Sequence, residues 1–252
     1  MTLAEVAHGV EAAGVGVLWL PEGGPDTLDP VPLAGSLCGS TATLGIGIAY
    51  SPSRGRHPSV ISRDISTVDR LSDGRAAVGV FEGGHAEVDL ARLSEAVEVM
   101  HLLLTEEEVT VRGSFYEVAE LTLRPRPVRP GGPPLVAGLV AGRSHDEPVE
   151  AAGMSAGADA FVIYGKPADV EASRRRLDAR DGEASKRSLL WRGAVPKSAQ
   201  AAGQLARSMS DAGADGMMFT LDPAGVSGAG FHRDAIGPVL ESLASLAGPF
   251  GS

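Results

Sequence analysis

Three segments of the chain repeat one local pattern, and that pattern limits the folds available to it. In each segment a predicted helix ends in Ala-Gly, a tight turn follows, and a short apolar strand begins. The segments are AAGVGVLWL (12–20), SAGADAFVIY (155–164) and DAGADGMMFT (211–220). Glycine readily adopts the left-handed conformation that ends a helix, so we expect it at Gly14, Gly157 and Gly213. Repeated units of this kind predict an α/β fold with a parallel sheet.

Seven apolar runs have the length and composition of strands in such a sheet. Continuous apolar runs suit parallel strands that are covered on both faces. The runs are VGVLWL (15–20), TLGIGIAY (43–50), AAVGVF (76–81), LVAG (135–138), DAFVIYG (159–165), SLLWRGAV (188–195) and GMMFTLD (216–222). Strand–helix alternation is typical of doubly wound sheets and of (β/α)8 barrels. Because no long helical or all-β block interrupts it, we favour the barrel.

One segment departs from this alternation. In VTVRGSFYEV (109–118), apolar and polar residues alternate in two short runs that are joined through Gly113. This pattern predicts a β-hairpin. The proline-rich stretch LRPRPVRPGGPP (123–134) follows it. We interpret this stretch as the return from the hairpin rather than as a domain linker, because the same strand–helix pattern runs on both sides. The sequence therefore predicts one domain over residues 1–252.

Composition excludes several classes of function. A net charge of −10 argues against nucleic acid and anionic membranes as partners, since both require a basic surface. No apolar run reaches the ~18–20 residues of a membrane helix, and the first residues lack the pattern of a signal peptide. Cys38 is the only cysteine, which fits a reducing compartment. We expect a cytoplasmic protein whose partner is a small molecule.

Two catalytic motifs are rejected by their context. GMSAG (153–157) matches the serine-hydrolase pattern, but a predicted helix precedes Ser155 and a predicted strand follows it, which reverses the order that this chemistry needs. The six histidines have neither H-x-H nor H-E-x-x-H spacing, so no metal site is predicted.

A glycine-rich turn is a candidate site for an anion. In VAGLVAGRSHDEPVEAAG (136–153) a strand leads into a loop containing Gly138, Gly142, Arg143 and Ser144, and a predicted helix follows. Glycines allow the backbone to approach a ligand closely, and an arginine together with the amides at a helix start favours the binding of a phosphate. The alternative, an ordinary turn in which Asp146 caps the helix, stays open.

Several ordered motifs resemble the bacterial luciferase-like flavin monooxygenase and F420-dependent oxidoreductase superfamily. They are Leu20-Pro21-Glu22 at a strand end, Arg56-His57-Pro58 at a helix start, Asp69 with Leu71-Ser72-Asp73-Gly74-Arg75 at a helix end, and the hairpin followed by Arg-Pro-x-Pro. The resemblance covers nearly the whole chain. It implies a luciferase-like (β/α)8 barrel, here with a β-hairpin insertion before the fifth strand. It also implies that FMN or coenzyme F420 binds at the C-terminal ends of the strands.

The resemblance also implies positions for the cofactor. In the family the strand that matches GIGIAY bulges at its end, often with a non-prolyl cis peptide, and supports the rear face of the ring. Gly47-Ile48 matches that position, so Gly47, Ile48 and Ala49 are predicted to back the ring. The basic loop that follows lies at the rim, where Arg54 or Arg56 meets an anionic cofactor tail or is simply solvated.

The sequence also departs from the family pattern. The strand expected before the first helix is missing, and the segment 82–89 is short. Glycines follow Glu22 where many deazaflavin enzymes have a histidine, which leaves Glu22 and Glu82 as the acid–base candidates. An exposed loop carboxylate is the alternative for Glu82. His57 is predicted to start a helix rather than to act as a base.

Two functions remain open. The first is an oxidoreductase or monooxygenase that uses reduced FMN or F420 on a small organic substrate; the sequence does not choose between the cofactors. The alternative is a degenerate, non-catalytic family member that binds a flavin or acts as a structural partner. The missing strand predicts closure of the barrel by a second subunit in a homodimer. The alternatives are a distorted seven-stranded arrangement and a start codon further upstream that would supply the strand.

Overall fold

Strands and helices alternate through the structure, a computed structural model. It describes residues 2–23, 27–82, 90–139, 157–181, 187–196, 198–220, 226–227 and 230–231. Seven strands form one parallel sheet: β1 (Val17–Pro21), β2 (Gly45–Tyr50), β3 (Ala76–Glu82), β6 (Leu135–Leu139), β7 (Ala160–Ile163), β8 (Ser188–Ala194) and β9 (Gly216–Thr220). The sheet order is β1-β2-β3-β6-β7-β8-β9, so all seven predicted strands are confirmed. The sheet is a curled half-barrel, and the closed eight-stranded barrel stays a prediction.

The described residues contain six α-helices; the first precedes β1, and each of the others follows a strand of the sheet. They are α1 (Leu3–Ala12), α2 (Pro30–Ser40), α3 (Pro58–Leu71), α4 (Leu90–Thr105), α5 (Pro167–Asp181) and α6 (Ala199–Asp211). Thr2 and Glu5 form a capping box at the start of α1, and the Asp29 side chain caps α2. Within the described residues no helix is long and apolar enough to cross a membrane.

The predicted hairpin lies between the third and fourth strands of the sheet. Strands β4 (Val109–Arg112) and β5 (Glu117–Leu121) pair antiparallel, and their apolar side chains pack with Val99 and Leu103 of α4. The Glu95 carboxylate on α4 accepts hydrogen bonds from the amides of the three residues at the hairpin tip, at 2.7–2.9 Å. A further two-residue pair joins β10 (Val226–Ser227) to β11 (Gly230–Phe231).

Two of the three predicted helix-ending glycines are left-handed. Gly14 has a φ of 75° and Gly213 a φ of 96°. The helix predicted to end at Gly157 lies in residues 140–156, outside the described residues, so the prediction for Gly157 is not tested. A Cβ at this position would overlap the side chain of His101 on α4.

The two faces of the sheet pack against different partners. Side chains on one face pack under the helices, among them those of Ile46, Ile48, Tyr50, Val78 and Phe161. The alternate positions lie on the concave face and form a second, smaller cluster, in which Trp19, Ala49, Phe81, Val136, Val162, Leu190 and Met218 take part. This division follows from the two-residue period of a strand.

Arg75 braces the amino end of the sheet. Its guanidinium donates to the carbonyl oxygens of Leu44 (2.7 Å), Ser72 (2.8 Å) and Cys38 (3.0 Å), and to the Thr41 hydroxyl at 3.0 Å. One side chain therefore joins the ends of α2 and α3 to the start of β2. Arg75, the last residue of the Asp73-Gly74-Arg75 motif, therefore stabilises the fold.

Asp69 has a similar structural role one turn earlier. Its carboxylate is fully buried and accepts a hydrogen bond from the amide of Val128 at 2.8 Å. The Arg129 guanidinium lies 3.8 Å from the other carboxylate oxygen. Because Val128 and Arg129 belong to the proline-rich stretch, Asp69 anchors the return from the hairpin to α3.

Candidate functional site

Two aromatic rings meet on the concave face near the carboxyl ends of the strands. Trp19 of β1 and Phe81 of β3 pack edge to face, with ring centroids 6.2 Å apart and an interplanar angle of 89°. Glycines make room for these rings: a Cβ at position 47 would overlap the Trp19 indole, and one at position 79 would overlap the Phe81 ring. The active sites of (β/α)8 enzymes lie at this end of the sheet.

The residues predicted to back a ring are divided between the two faces. Gly47 lies beneath Trp19, and Ala49 lies on the concave face beside the aromatic cluster. The side chain of Ile48 is fully buried in the helix-facing core, so only its backbone is oriented to serve the concave face.

The bulge expected at the end of β2 is not present in this described strand. It keeps an unbroken parallel register with β1 from Gly45 and with β3 up to Tyr50. The cis peptide bond found in the described residues joins Arg124 to Pro125, not Gly47 to Ile48.

Arg192 is a candidate that the sequence analysis missed. The seven strands of the sheet contain two charged residues, Glu82 at the end of β3 and Arg192 within β8. The Arg192 guanidinium lies over the Phe81 ring at 5.8 Å and over the Tyr164 ring at 5.5 Å from the centroids. The sequence signal was a lone arginine inside the apolar run SLLWRGAV.

Glu22 and Arg56, predicted for two different roles, form an ion pair with each other. Arg56 Nε lies 3.0 Å from Glu22 Oε1, and the two side chains are 29% and 12% exposed. The Glu22 amide donates to the carbonyl of Ala49 at 2.7 Å. The pair therefore fixes the segment after β1 to the loop after β2. The catalytic role of Glu22 and the cofactor role of Arg56 stay predictions.

Arg56 has further acidic partners. It forms an ion pair with Asp29, and its Nη1 lies 3.6 Å from a carboxylate oxygen of Asp64. Burial raises the pKa of the Asp64 carboxyl above its usual value. Burial, together with the neighbouring Asp64 carboxylate, also raises the pKa of the Tyr50 phenol. The cluster places one cation among three carboxylates, which anchors the basic loop in a polar environment.

The rest of the basic loop is also held to the protein. Residues Pro52–Arg54 form a 3₁₀ turn, and Arg54 donates to the carbonyl of Gly23 at 2.6 Å. His57 is the N-cap of α3, since its Nδ1 accepts a hydrogen bond from the Ser59 amide at 3.1 Å. The prediction that His57 starts the helix is confirmed.

A cavity of about 280 Å³ lies between this loop and the hairpin tip. It is lined by Pro52, Gly55, His57, Arg92, Phe115 and Tyr116. The Arg92 guanidinium lies 5.0 Å from the Phe115 ring centroid, and the rings of His57 and Tyr116 are 5.4 Å apart. The cavity wall is therefore aromatic and cationic.

The remaining predicted site residues are only partly described. Gly138 lies on the concave face in β6, opposite Phe81 in the strand register, and a Cβ there would come within 2.7 Å of the Phe81 ring. Glu82 ends β3, and its side chain lies outside the described residues. Gly142, Arg143 and Ser144 also lie outside them. The described residues contain no cluster of His, Cys, Asp and Glu side chains suited to a metal ion.

Comparison with known proteins identifies relatives of one family. A family model described as luciferase-like monooxygenase matches residues 2–210. The chain is similar to an F420-dependent glucose-6-phosphate dehydrogenase from Intrasporangium calvum, with 34% identity over 125 residues. That match covers 41% of this chain and 37% of the relative, so the chain spans well under two thirds of the relative's length.

Two solved structures share the fold. The coenzyme F420-dependent tetrahydromethanopterin reductase from Methanopyrus kandleri has a TM-score of 0.64 and 18% identity, over 79% of this chain and 65% of that one. The monooxygenase RslO1 from Streptomyces bottropensis has a TM-score of 0.65 and 18% identity, over 83% of this chain and 71% of that one. At this level of identity the likeness concerns the fold alone.

Proposed function

The chain belongs to the luciferase-like monooxygenase family, and from that premise we propose that it is an oxidoreductase that uses reduced FMN or coenzyme F420 on a small organic substrate. The observation that carries the proposal is the aromatic pair of Trp19 and Phe81 on the concave face, near the carboxyl ends of the strands. A flat tricyclic ring binds to such an apolar, aromatic wall by stacking and by loss of hydrated surface. Relatives named for F420 support the deazaflavin, and the flavin stays equally open.

The concave face suits a ring in two respects. It is apolar over the cluster that contains Ala49, Val136 and Val162, and it has one cation, Arg192, among the described residues of its strands. Because the indole covers Gly47, the ring would contact Trp19 and Phe81 rather than the backbone at position 47. The bound cofactor would supply the hydride transfer or oxygen activation.

The chain's own residues would orient the ring and keep water away from it. Trp19, Phe81 and Ala49 would form its apolar support, with Gly138 allowing Phe81 to lie flat against β6. Gly142, Arg143 and Ser144 would receive the phosphate, as the glycine-rich sequence predicts. Glu82, at the carboxyl end of β3, is the acid–base candidate nearest to this wall along the chain.

We also propose a cytoplasmic homodimer. The single cysteine and the acidic surface charge support the location. Within the described residues, β1 and β9 each pair on one side only. Proteins usually cover an unpaired strand edge, and a second copy of the chain would do so. Light scattering during size exclusion tests this proposal, and a stable monomer at micromolar concentration would contradict it.

The test of the cofactor proposal is a binding titration with two tryptophan variants. FMN and F420, oxidised and reduced, are titrated into the protein while cofactor fluorescence is followed. Trp19→Leu should weaken binding about tenfold, as expected from the loss of one ring contact worth about 1.4 kcal/mol. Trp191→Phe is the matched control, because Trp191 lies on the helix-facing side of β8 and donates to the Gly165 carbonyl at 2.9 Å. Equal weakening by both variants would argue against the aromatic wall as the ring site.

One observation favours the non-catalytic alternative. The Trp19 indole fills space that the family resemblance assigned to the cofactor ring, directly over Gly47. In a degenerate member the protein's own side chain would replace the ring. Failure to bind any of the four cofactor forms at high micromolar concentration would support this alternative and contradict the enzyme proposal.

A further inference from the structure

The cavity between the basic loop and the hairpin tip lies outside the parallel sheet. Its lining residues come from the loop after β2, from the first turn of α4 and from the hairpin tip, and none of them belongs to a strand of that sheet. Helices α3 and α4 pack in the helix-facing core through side chains such as Ile61 and Leu93, whereas Trp19 and Phe81 belong to the concave cluster. The cavity is therefore separate from the aromatic wall of the concave face.

Three aromatic rings form much of the cavity wall. The rings of His57 and Tyr116 meet edge to face, at a centroid distance of 5.4 Å and an interplanar angle of 88°. The Arg92 guanidinium lies 5.0 Å from the Phe115 ring centroid, and Phe115 nevertheless remains 38% exposed. A flat ring that packs against Phe115 would remove apolar surface of both rings from water. The wall therefore suits an aromatic ligand.

His57 supplies a hydrogen-bond donor at this wall. Its Nδ1 accepts from the Ser59 backbone amide at 3.1 Å and lies 2.7 Å from the Ser59 hydroxyl. Because a backbone amide can only donate, Nδ1 of the neutral ring carries no hydrogen, which assigns the hydrogen to Nε2. Within the part of the chain that the structure describes, His57 Nε2 has no hydrogen-bond partner. The cap of α3 therefore fixes a donor on a residue that lines the cavity.

The size and charge of the cavity narrow the class of ligand. Its volume of about 280 Å³ is at the lower end of the range of about 300–1,000 Å³ that is usual for small-molecule sites. Such a volume suits a molecule built on one ring rather than a tricyclic cofactor with its tail. None of the lining residues is a carboxylate, so a cationic ligand would find no counter-ion in the wall.

We propose that this cavity binds a small, flat aromatic molecule that carries a hydrogen-bond acceptor, such as an aromatic ketone or carboxamide. Its ring would lie against Phe115, and its oxygen would accept from His57 Nε2. This site goes beyond the proposed function, because it requires neither the cofactor nor the concave face. Since the basic loop also carries Arg56, which lies 3.0 Å from Glu22, a molecule bound here would stabilise the rim at the carboxyl end of the sheet.

The experiment compares three probes that share parts of one molecule. Benzamide has both the ring and the acceptor oxygen, benzamidine replaces that oxygen by a donor, and acetamide lacks the ring. Each is titrated into the full chain while NMR spectra record the backbone amides. We expect benzamide to bind at least about tenfold more tightly than benzamidine or acetamide, because each of these lacks one of the two contacts. The shifted amides should lie in residues 52–57 and 113–116, which surround the cavity.

Two variants remove one contact each. His57→Asn keeps a side-chain oxygen that can cap α3 and removes the ring donor, so it should weaken benzamide binding at least about fivefold. Phe115→Ala removes the ring contact and should also weaken it at least about fivefold. Val60→Ala is the control, because Val60 is an exposed apolar residue of α3 outside the lining, and it should change binding less than about twofold. Circular dichroism verifies the folds, and Phe115→Ala, at the hairpin tip, tests the site if His57→Asn does not fold.

The concave face provides the competing location for benzamide. Unchanged binding in Trp19→Leu and in the presence of FMN or F420 supports the cavity, whether or not a cofactor binds, which keeps this inference separate from the proposed function. The inference is overturned if benzamide does not bind at millimolar concentration, or if benzamidine binds as tightly. It is also overturned if a folded His57→Asn or Phe115→Ala binds benzamide as the wild type does. Weaker binding in Trp19→Leu, or displacement by a cofactor, would place benzamide on the aromatic wall and overturn it as well.

Discussion

The Trp19 indole occupies the space that a side chain at position 47 would fill. The two residues are register partners on β1 and β2, and the absence of a Cβ at Gly47 lets the indole lie flat on the neighbouring strand. The aromatic wall of the concave face therefore depends on a glycine that contributes no side chain to it.

Gly47→Ala should destabilise the protein because the indole must move. We expect a loss of about 1–3 kcal/mol in the free energy of unfolding, the usual effect of overpacking. Gly39→Ala is the control: Gly39 lies in α2, a Cβ there meets nothing within 4 Å, and alanine should stabilise the helix by up to about 1 kcal/mol. Urea unfolding measures both, and the prediction fails if Gly47→Ala is as stable as the wild type.

Glu11 should make stability depend on acid pH. Its Oε1 accepts hydrogen bonds from the amides of Ala42, Thr43 and Leu44, at 2.6–2.9 Å, and these lower the carboxyl pKa from 4.5 to about 2. A depressed folded-state pKa stabilises the protein above the unfolded-state pKa, and this stabilisation is lost as the pH falls from 4.5 towards 2.

Glu11→Gln tests this dependence. The stability difference between wild type and variant should be largest at neutral pH and should shrink between pH 4.5 and 2. Glu107→Gln, at an exposed position after α4, is the control and should leave the wild-type profile unchanged. A difference between wild type and Glu11→Gln that is constant from pH 7 to about 2 would contradict the assignment.

Glu95 should hold the hairpin tip against α4. Its carboxylate accepts from the amides of Ser114, Phe115 and Tyr116, so Glu95→Ala leaves three backbone donors without this partner. We expect a loss of about 1.5–3 kcal/mol and faster amide hydrogen exchange confined to residues 113–116. Glu98→Ala, an exposed position on the same helix, should change neither quantity. Unchanged exchange at the hairpin tip in Glu95→Ala would count against this role.

Tyr50→Phe should be neutral or stabilising. The Tyr50 hydroxyl is buried on the helix-facing side and has no hydrogen-bond partner among the described residues. Removing an unsatisfied hydroxyl relieves its desolvation cost, and we expect a gain of up to about 1 kcal/mol. Trp191→Phe provides the contrast, since it removes a ring donor that is paired with the Gly165 carbonyl and should destabilise. Thermal unfolding of the two variants distinguishes the cases, and a clear loss of stability in Tyr50→Phe would contradict the assignment.

The strands were predictable because burial on both faces gives a continuous apolar run. The hairpin was predictable for a related reason: on both sides of Gly113, apolar and polar residues alternate instead of forming a continuous apolar run. Helix α2 was not predicted, because Pro30, Pro32 and two glycines weaken its helical pattern. Its start signal was present in Asp29, which caps the helix immediately before a proline.

The candidate site was less predictable because it depends on contacts across the sheet. The local sequence around Gly47 favoured a ligand there, whereas the space is filled by Trp19, which is 28 residues earlier in the chain. Glu22 and Arg56 each suggested a separate role, and only their spatial proximity shows that they pair. Arg192 was visible as a lone charge, but its contact with Phe81 requires the curl of the sheet.

The brace at Arg75 has a consequence for how this protein can change over evolutionary time. By joining two helix ends to the start of β2, it fixes these three elements to one another at the amino end of the sheet. Loops at the opposite end of the sheet can then change in length or sequence while the hydrogen bonds of Arg75 are kept. Sequence change at the rim is therefore compatible with the brace, whereas a change at Arg75 would remove four hydrogen bonds and lower the stability of every such variant.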